Sequence, residues 1–169
     1  MSRVTNFTPL FSRRSDEWTT PSNLWQALHE EFGFTLDAAA TPANTRCVKF
    51  LVDALTVSWG SEVVWLNPPY SKCRAFLAKA KQESKAGATV VCLVPSRTDT
   101  KWFHESVWDR STNAPYPNVE IRFLKGRLKF GNGTGSAPFP SMLVIFRPSA
   151  IRKSVVFSAP ASALRPDPV

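Results

Sequence analysis

The stretch V-V-W-L-N-P-P-Y, residues 63–70, indicates the fold of this chain. Its four apolar residues are typical of a short buried strand, which ends at once in an amide, two prolines and an aromatic ring. Proline fixes its own φ, lacks an N–H and favours extended geometry in the residue before it, so the turn is stiff. In an open α/β sheet, such a turn lies at the carboxyl edge of the strands, where ligands bind.

The turn carries groups that suit a planar ligand bearing an amino group. The Asn67 amide oxygen and the Pro68 carbonyl are two acceptors, which match the two hydrogens of an exocyclic amine. Pro69 stiffens the turn, and the Tyr70 ring can stack on a flat ligand, an interaction worth about 1–3 kcal/mol per base. The alternative is a turn that only ends the strand, with Tyr70 in the core.

Helical and strand patterns alternate along the rest of the chain. A helix is predicted after residue 21, with Ser22 as its cap and Gly33 as its end. A second helix is predicted at 73–86. Strands are predicted at F-T-L-D, K-F-L-V, A-T-V-V-C-L-V-P, V-E-I-R-F-L, R-L-K-F and S-M-L-V-I-F-R, with the fourth and fifth paired. This order predicts an α/β open sheet, mostly parallel, with an antiparallel C-terminal hairpin edge.

Composition and charge narrow the range of functions. The 169 residues predict one domain at 16–148, between a flexible basic arm at 1–15 and a disordered Pro/Ala/Ser-rich tail at 149–169. We expect no signal peptide and no membrane span, and therefore a cytoplasmic protein. Lys and Arg outnumber Asp and Glu by 21 to 13, giving +8, which favours a polyanion such as nucleic acid. Three scattered cysteines and two histidines predict no metal site.

N-P-P-Y after an apolar strand resembles the catalytic motif of methyltransferases that modify amino groups. Further motifs, in the same order, resemble the phage-encoded, Dam-like DNA N-6-adenine methyltransferase family. They are W-T-T-P at 18–21, L-D-A-A-A at 36–40, D-A-L-T-V-S-W at 53–59, L-V-P-S-R-T-D-T-K-W-F-H at 93–104, K-G-R-L-K-F at 125–130 and F-P-S-M-L-V-I-F at 139–146.

The resemblance implies a compact, Rossmann-like class I methyltransferase sheet and a defined reaction. A methyl group would pass from S-adenosyl-L-methionine to the amino group of adenine in DNA, in the host bacterial cytoplasm, protecting phage DNA from restriction. Asn67 and Pro68 would accept hydrogen bonds from a flipped adenine, and Tyr70 would stack on it. Holding both amino hydrogens localises the nitrogen lone pair, so no covalent enzyme intermediate is needed.

For the cofactor, the resemblance implies contacts from Thr20 and Pro21 near the methionine moiety and from Asp37, Ala38, Ala39 and Asp53. Asp37 would receive the cofactor's ammonium, and Asp53 the amino group of its adenine. Thr20 and Pro21 fit a helix N-terminus equally well. The chain departs from the wider pattern because alanines at 38–40 replace the usual glycine-rich loop.

For DNA, basic residues near the predicted active edge would contact phosphates. They are Arg97, Lys101, Arg122, Lys125, Arg127 and Lys129. Trp102 or Phe103 would fill the place of the flipped base, and the 131–140 loop would carry any sequence preference. Taken individually, each of these residues is more often a solvated surface charge or a core aromatic.

Two other functions stay open at this point. A protein glutamine methyltransferase would use the same motif, because a glutamine amide is also planar and carries an amino group. A DNA-binding module that has lost its cofactor would explain the missing glycines.

Overall fold

The computed structural model describes residues 19–129 and 136–148, and the backbone of residues 155–160. Three helices are present in these ranges: α1 Ser22–Phe32, α2 Cys73–Lys85 and α3 Lys101–Ser106. A single 3₁₀ turn, Tyr70–Lys72, precedes α2. The strands are β1 Leu36–Asp37, β2 Lys49–Phe50, β3 Val63–Leu66, β4 Thr89–Pro95, β5 Trp108–Asp109, β6 Ala114–Pro115, β7 Val119–Lys125, β8 Ser141–Phe146 and β9 Val155–Pro160.

Seven strands form one sheet in the order β2-β1-β3-β4-β8-β7-β9. All neighbouring strands are parallel except at β8, which runs antiparallel to both β4 and β7. This arrangement confirms the predicted mostly parallel α/β sheet and is consistent with a class I methyltransferase-like fold. The antiparallel strand lies inside the sheet, since β9 extends it beyond β7. The separate hairpin of β5 and β6 has no counterpart in the sequence prediction.

The pairing predicted for R-L-K-F is wrong over the described residues 127–129, which form no strand. Gly126 directly follows β7 with φ of 86°, a left-handed conformation that does not continue a strand. Leu128 keeps one backbone bond, its carbonyl accepting the N–H of Ala137 at 2.7 Å. The partner of β7 is β8, with Ile121 opposite Val144.

Strand β9 lies within the tail predicted to be disordered, and that prediction is wrong for residues 155–160. The strand pairs in parallel with β7, Glu120 lying opposite Val155. V-V-F is a β-branched and aromatic run, and the outer side of β7 offers backbone groups with which it can pair. The rest of the tail, the arm at 1–15 and the 131–135 part of the predicted specificity loop lie outside the described residues.

Helix α1 ends where the sequence predicts, but its N-cap differs from the prediction. Gly33 ends the helix with φ of 67°, its N–H donating to the His29 carbonyl at 2.8 Å, as expected. At the start, Pro21 occupies the N-cap position and makes no side-chain capping bond, so the prediction of Ser22 as the cap is wrong. Proline fits here because the N–H groups of the first helical turn have no partner within the helix.

Both faces of the sheet are covered by apolar side chains. Val90, Cys92 and Val94 of β4 face the cluster under α2, whereas Val91 and Leu93 face the cluster under α1. This is the burial on both sides that the continuous apolar run of β4 predicts. Among the described residues, no helix is long and apolar enough to cross a membrane.

A buried carboxylate on α2 fixes the long connection between β2 and β3. Glu83 accepts the Trp59 N–H at 2.8 Å and the Ser58 hydroxyl at 3.2 Å, and its other oxygen pairs with Lys79 at 2.8 Å. Burial alone raises the pKa of Glu83, but these hydrogen bonds and the Lys79 charge outweigh it and lower the pKa. The indole of Trp59 in turn donates to the Ala54 carbonyl at 2.8 Å. The connection is therefore tied to the core.

We predict that Glu83→Ala lowers the free energy of unfolding by about 2–3 kcal/mol, because it leaves Lys79 and the Trp59 N–H without their acceptor. Urea denaturation measures the change. Glu30→Ala on the exposed face of α1 is the matched control, since its contact with Gln26 is solvent-exposed. Equal loss in the two variants would contradict this role for Glu83.

Candidate active site

The neighbouring strands β1 and β3 bring polar residues to one edge of the sheet. Asp37 ends β1, Asn67 follows β3, and the two strands run in parallel with Asp37 opposite Trp65. The segment before α1 lies against the same edge, where the Asn67 amide nitrogen donates to the Thr20 hydroxyl at 3.1 Å. A cavity of about 190 Å³ opens between these segments, lined among others by Thr19, Thr20, Asp37, Ala39, Ala40, Asn44, Arg46, Val52, Asn67, Pro69, Lys72 and Phe76.

Asp37 is a buried carboxylate in the wall of this cavity. One oxygen accepts the Arg46 N–H at 3.0 Å, and the other lies 3.5 Å from the Ala39 nitrogen. Burial raises the pKa of Asp37, and the two backbone bonds and the Arg46 charge oppose the rise only in part. The site is therefore able to stabilise a cationic group placed beside this carboxylate.

The N-P-P-Y turn is held against the segment that precedes α1. Asn67 is half-buried, and its bond to the buried Thr20 directs the amide nitrogen toward α1. Pro68 is buried, and Pro69 stands before the 3₁₀ turn with φ of −52°. The backbone therefore leaves β3 in the rigid, extended form that two prolines require.

Tyr70 is half-buried, and its ring meets that of Phe139 edge to face, with centroids 5.0 Å apart and an interplanar angle of 80°. Burial raises the pKa of Tyr70 above its ordinary value, so the phenol stays neutral at physiological pH. No local pattern in the sequence points to Phe139 as a partner of Tyr70. Phe139 lies in F-P-S-M, directly before β8. It reaches the N-P-P-Y turn because β8 is close to β3 in the sheet, separated from it by β4 alone.

The predicted cofactor residues divide into two groups. Thr20, Asp37 and Ala39 line the cavity. Ala38 is buried in the core under α2, and Pro21 caps α1, its carbonyl accepting the Trp25 N–H at 3.1 Å. Asp53 is exposed and lies outside the lining. The position of Asp53 gives its predicted role no support.

Arg46 lines the cavity, although it follows T-P-A-N-T at 41–45, a stretch of turn-forming residues in which no pattern points to a site. Its guanidinium donates to the Thr20 carbonyl at 2.7 Å and to the Ser22 hydroxyl at 3.3 Å. Its backbone N–H binds Asp37. The available clue was a basic residue in the loop that follows a strand ending in a carboxylate.

Most of the basic residues predicted to contact DNA follow the carboxyl ends of β4 and β7, at the edge that carries Asn67. Arg97 pairs with Asp99 at 3.2 Å, and Arg127 donates to the Ala137 carbonyl at 3.3 Å. The other exposed members of this group are Lys101, Lys125 and Lys129.

Two residues of the predicted DNA surface are held elsewhere. Arg122 pairs with Glu31 and Glu120, each at 2.6 Å, which does not fit a phosphate contact. Phe103 is buried in the core under α2, so the base-replacing role is open only to its half-buried neighbour Trp102.

The model of the DNA N-6-adenine-methyltransferase (Dam) family matches residues 8–163 of this chain. The chain belongs to that family. It is 31% identical over 147 residues to the DNA N-6-adenine-methyltransferase of Haemophilus phage HP1 (strain HP1c1), covering 82% of this chain and 84% of that protein. It is 36% identical over 135 residues to the DNA N-6-adenine-methyltransferase of Escherichia phage T1, covering 72% of this chain and 57% of that one.

The family resemblance drawn from the motifs is thereby confirmed. A member of the DNA N-6-adenine-methyltransferase family needs a methyl donor and a DNA substrate. Within the ranges that the structure describes, no group of three or more His, Cys, Asp or Glu side chains could hold a metal ion.

We predict that the stability of Asp37→Asn relative to wild type increases as the pH rises above 3.8. A raised pKa means that the folded protein favours the neutral carboxyl, so the charged form costs stability at neutral pH and that cost vanishes in acid. Urea denaturation of both proteins between pH 4 and pH 7 measures the trend, with the exposed Asp53→Asn as control. A stability difference that does not depend on pH would contradict a raised pKa for Asp37 in the folded protein.

Proposed function

We propose that the cavity beside Asp37 binds S-adenosyl-L-methionine and that N-P-P-Y holds a flipped adenine of DNA for methylation at its N6 amino group. Membership of the DNA N-6-adenine-methyltransferase family supports the reaction. The single observation that supports the site best is the 3.1 Å bond between Asn67 and Thr20, because it joins the turn suited to an amine to the wall of the cavity.

The residues of the cavity suit this cofactor. S-adenosyl-L-methionine supplies an electrophilic methyl group on a positively charged sulfur and carries an ammonium group. Asp37 is buried and bonded only by backbone N–H groups in the described contacts, so an ammonium ligand would offset the cost of burying its charge. Ala39 and Ala40 line the cavity and have small side chains, which leaves room for a ligand close to the backbone.

On the substrate side, Asn67 and Pro68 accept the two hydrogens of the adenine amine. An amine conjugated to a purine is a weak nucleophile, and these two bonds draw its lone pair out of the ring system. The Thr20 hydroxyl holds the amide nitrogen of Asn67, which fixes the direction of its carbonyl oxygen. The turn needs no covalent bond to the substrate.

Tyr70 provides a flat surface for the adenine. Phe139 supports its ring edge to face, which limits the rotation of the ring before the base arrives. Because the pKa of Tyr70 is raised, the phenol does not act as a base. Stacking holds the base, and Asn67 selects its amino group.

The DNA backbone approaches the same edge of the sheet. Arg97, Lys101, Lys125, Arg127 and Lys129 meet its phosphates there, and the net charge of +8 draws DNA to the protein. Such contacts position the duplex and weaken steeply with salt. In the host bacterial cytoplasm, N6 methylation would protect phage DNA from restriction.

We predict that Asn67→Ala reduces the single-turnover rate of methyl transfer to DNA at least about a hundredfold, because one of the two acceptors for the adenine amine is lost. Binding of S-adenosyl-L-methionine, measured by calorimetry, should weaken far less than the rate does, and the variant should stay folded with a lower melting temperature because the buried Thr20 hydroxyl loses the Asn67 donor. Asn23→Ala, at an exposed asparagine of α1, is the matched control. A wild-type rate in Asn67→Ala would overturn the role given to this residue.

A further inference from the structure

The segment after β1 offers few backbone donors to a ligand. Where class I methyltransferases usually have a glycine-rich loop, this chain has three alanines. The Ala38 N–H donates to the Trp65 carbonyl at 3.0 Å, and the Ala39 N–H is directed at Asp37. A ligand that carries a carboxylate at this position therefore needs a donor from elsewhere.

Arg46 is placed to be that donor. It lines the cavity, and its backbone nitrogen lies 3.0 Å from the Asp37 carboxylate. A guanidinium carries five N–H groups in one plane, and the described bonds to Thr20 and Ser22 use two of them. These bonds fix the plane of the guanidinium before any ligand enters.

We propose that Arg46 binds the α-carboxylate of the methyl donor while Asp37 binds its α-ammonium. The inference rests on the proposed function, since it takes S-adenosyl-L-methionine as the ligand. The two ligand groups sit on one carbon atom, so their partners must be neighbours; Asp37 and Arg46 both line the cavity, and the Arg46 backbone N–H bonds to the Asp37 carboxylate. Together they recognise the amino-acid end of the cofactor.

Among the residues that the structure describes, Lys72 is the other cation that lines the cavity. It lies in the 3₁₀ turn after N-P-P-Y, whereas Arg46 belongs to the same β1–β2 connection as the groups that surround Asp37. A guanidinium matches a carboxylate with two parallel hydrogen bonds, which an ammonium cannot do. Arg46 is therefore the carboxylate partner, and Lys72 provides the matched control for a test.

The test compares two ligands, S-adenosyl-L-methionine and its analogue that lacks only the carboxylate. Calorimetry gives the affinity of each for wild type, Arg46→Gln, Arg46→Lys and Lys72→Gln. We expect wild type to prefer the complete cofactor by about tenfold to a hundredfold, as a charge-assisted pair of hydrogen bonds predicts. Arg46→Gln should lose the preference, Arg46→Lys should keep part of it, and Lys72→Gln should keep it in full.

Because the preference is a ratio measured on one protein, a general loosening of the site does not imitate the expected result. If Arg46→Gln weakens the binding of both ligands equally and keeps the preference for the complete cofactor, Arg46 only holds Thr20 and the inference is wrong. The inference also fails, with the proposed function intact, if wild type binds both ligands alike or if Lys72→Gln removes the preference. If wild type binds neither ligand, the proposed function itself fails.

Discussion

Parallel pairing of β1 with β3 is the constraint on which the rest of the site depends. It places the ends of both strands at one edge, so that a carboxylate at 37 and an amide at 67 share a cavity although they are distant in sequence. Beyond β3, the sheet carries the residues that the proposed function assigns to DNA. β4 and β7 end at the same edge with basic residues, and the chain entering β8 supplies Phe139 against Tyr70. A single strand register thus brings together the residues that the proposed function assigns to the cofactor, the base and the DNA backbone.

Thr20 links the two halves of this site. Its hydroxyl accepts the Asn67 amide, and its carbonyl accepts the Arg46 guanidinium, whose backbone N–H reaches Asp37. The groups assigned to the cofactor and to the adenine are therefore connected through three hydrogen bonds. This connection means that a change in the position of Arg46 or Thr20 is passed on to the Asn67 amide.

The sequence predicts the structure where a local pattern determines it. It does not predict contacts between residues that are far apart in the sequence. The stiff N-P-P-Y turn, the glycine end of α1 and the two-sided burial of β4 follow from neighbouring residues. Arg46, Phe139 and Glu83 take their roles from partners that are distant in the sequence: Arg46 bonds to Thr20, Phe139 packs on Tyr70, and Glu83 holds the Trp59 N–H. No local sequence pattern shows such contacts. Arg122 looked like a surface charge, yet it pairs with Glu31 of α1. Strand β9 was hidden because its flanks are rich in proline and alanine, although V-V-F alone favours a strand.

The most direct test of the account is transfer of a labelled methyl group from S-adenosyl-L-methionine to unmethylated DNA, followed by digestion to nucleosides and identification of the labelled base. The account predicts label in N6-methyladenine alone. Label on glutamine residues of added protein, with none in DNA, would show that N-P-P-Y serves a peptide amide. Salt-sensitive DNA binding without any transfer or cofactor binding would show that the chain has kept the fold and lost the reaction. Either of these results would contradict the account.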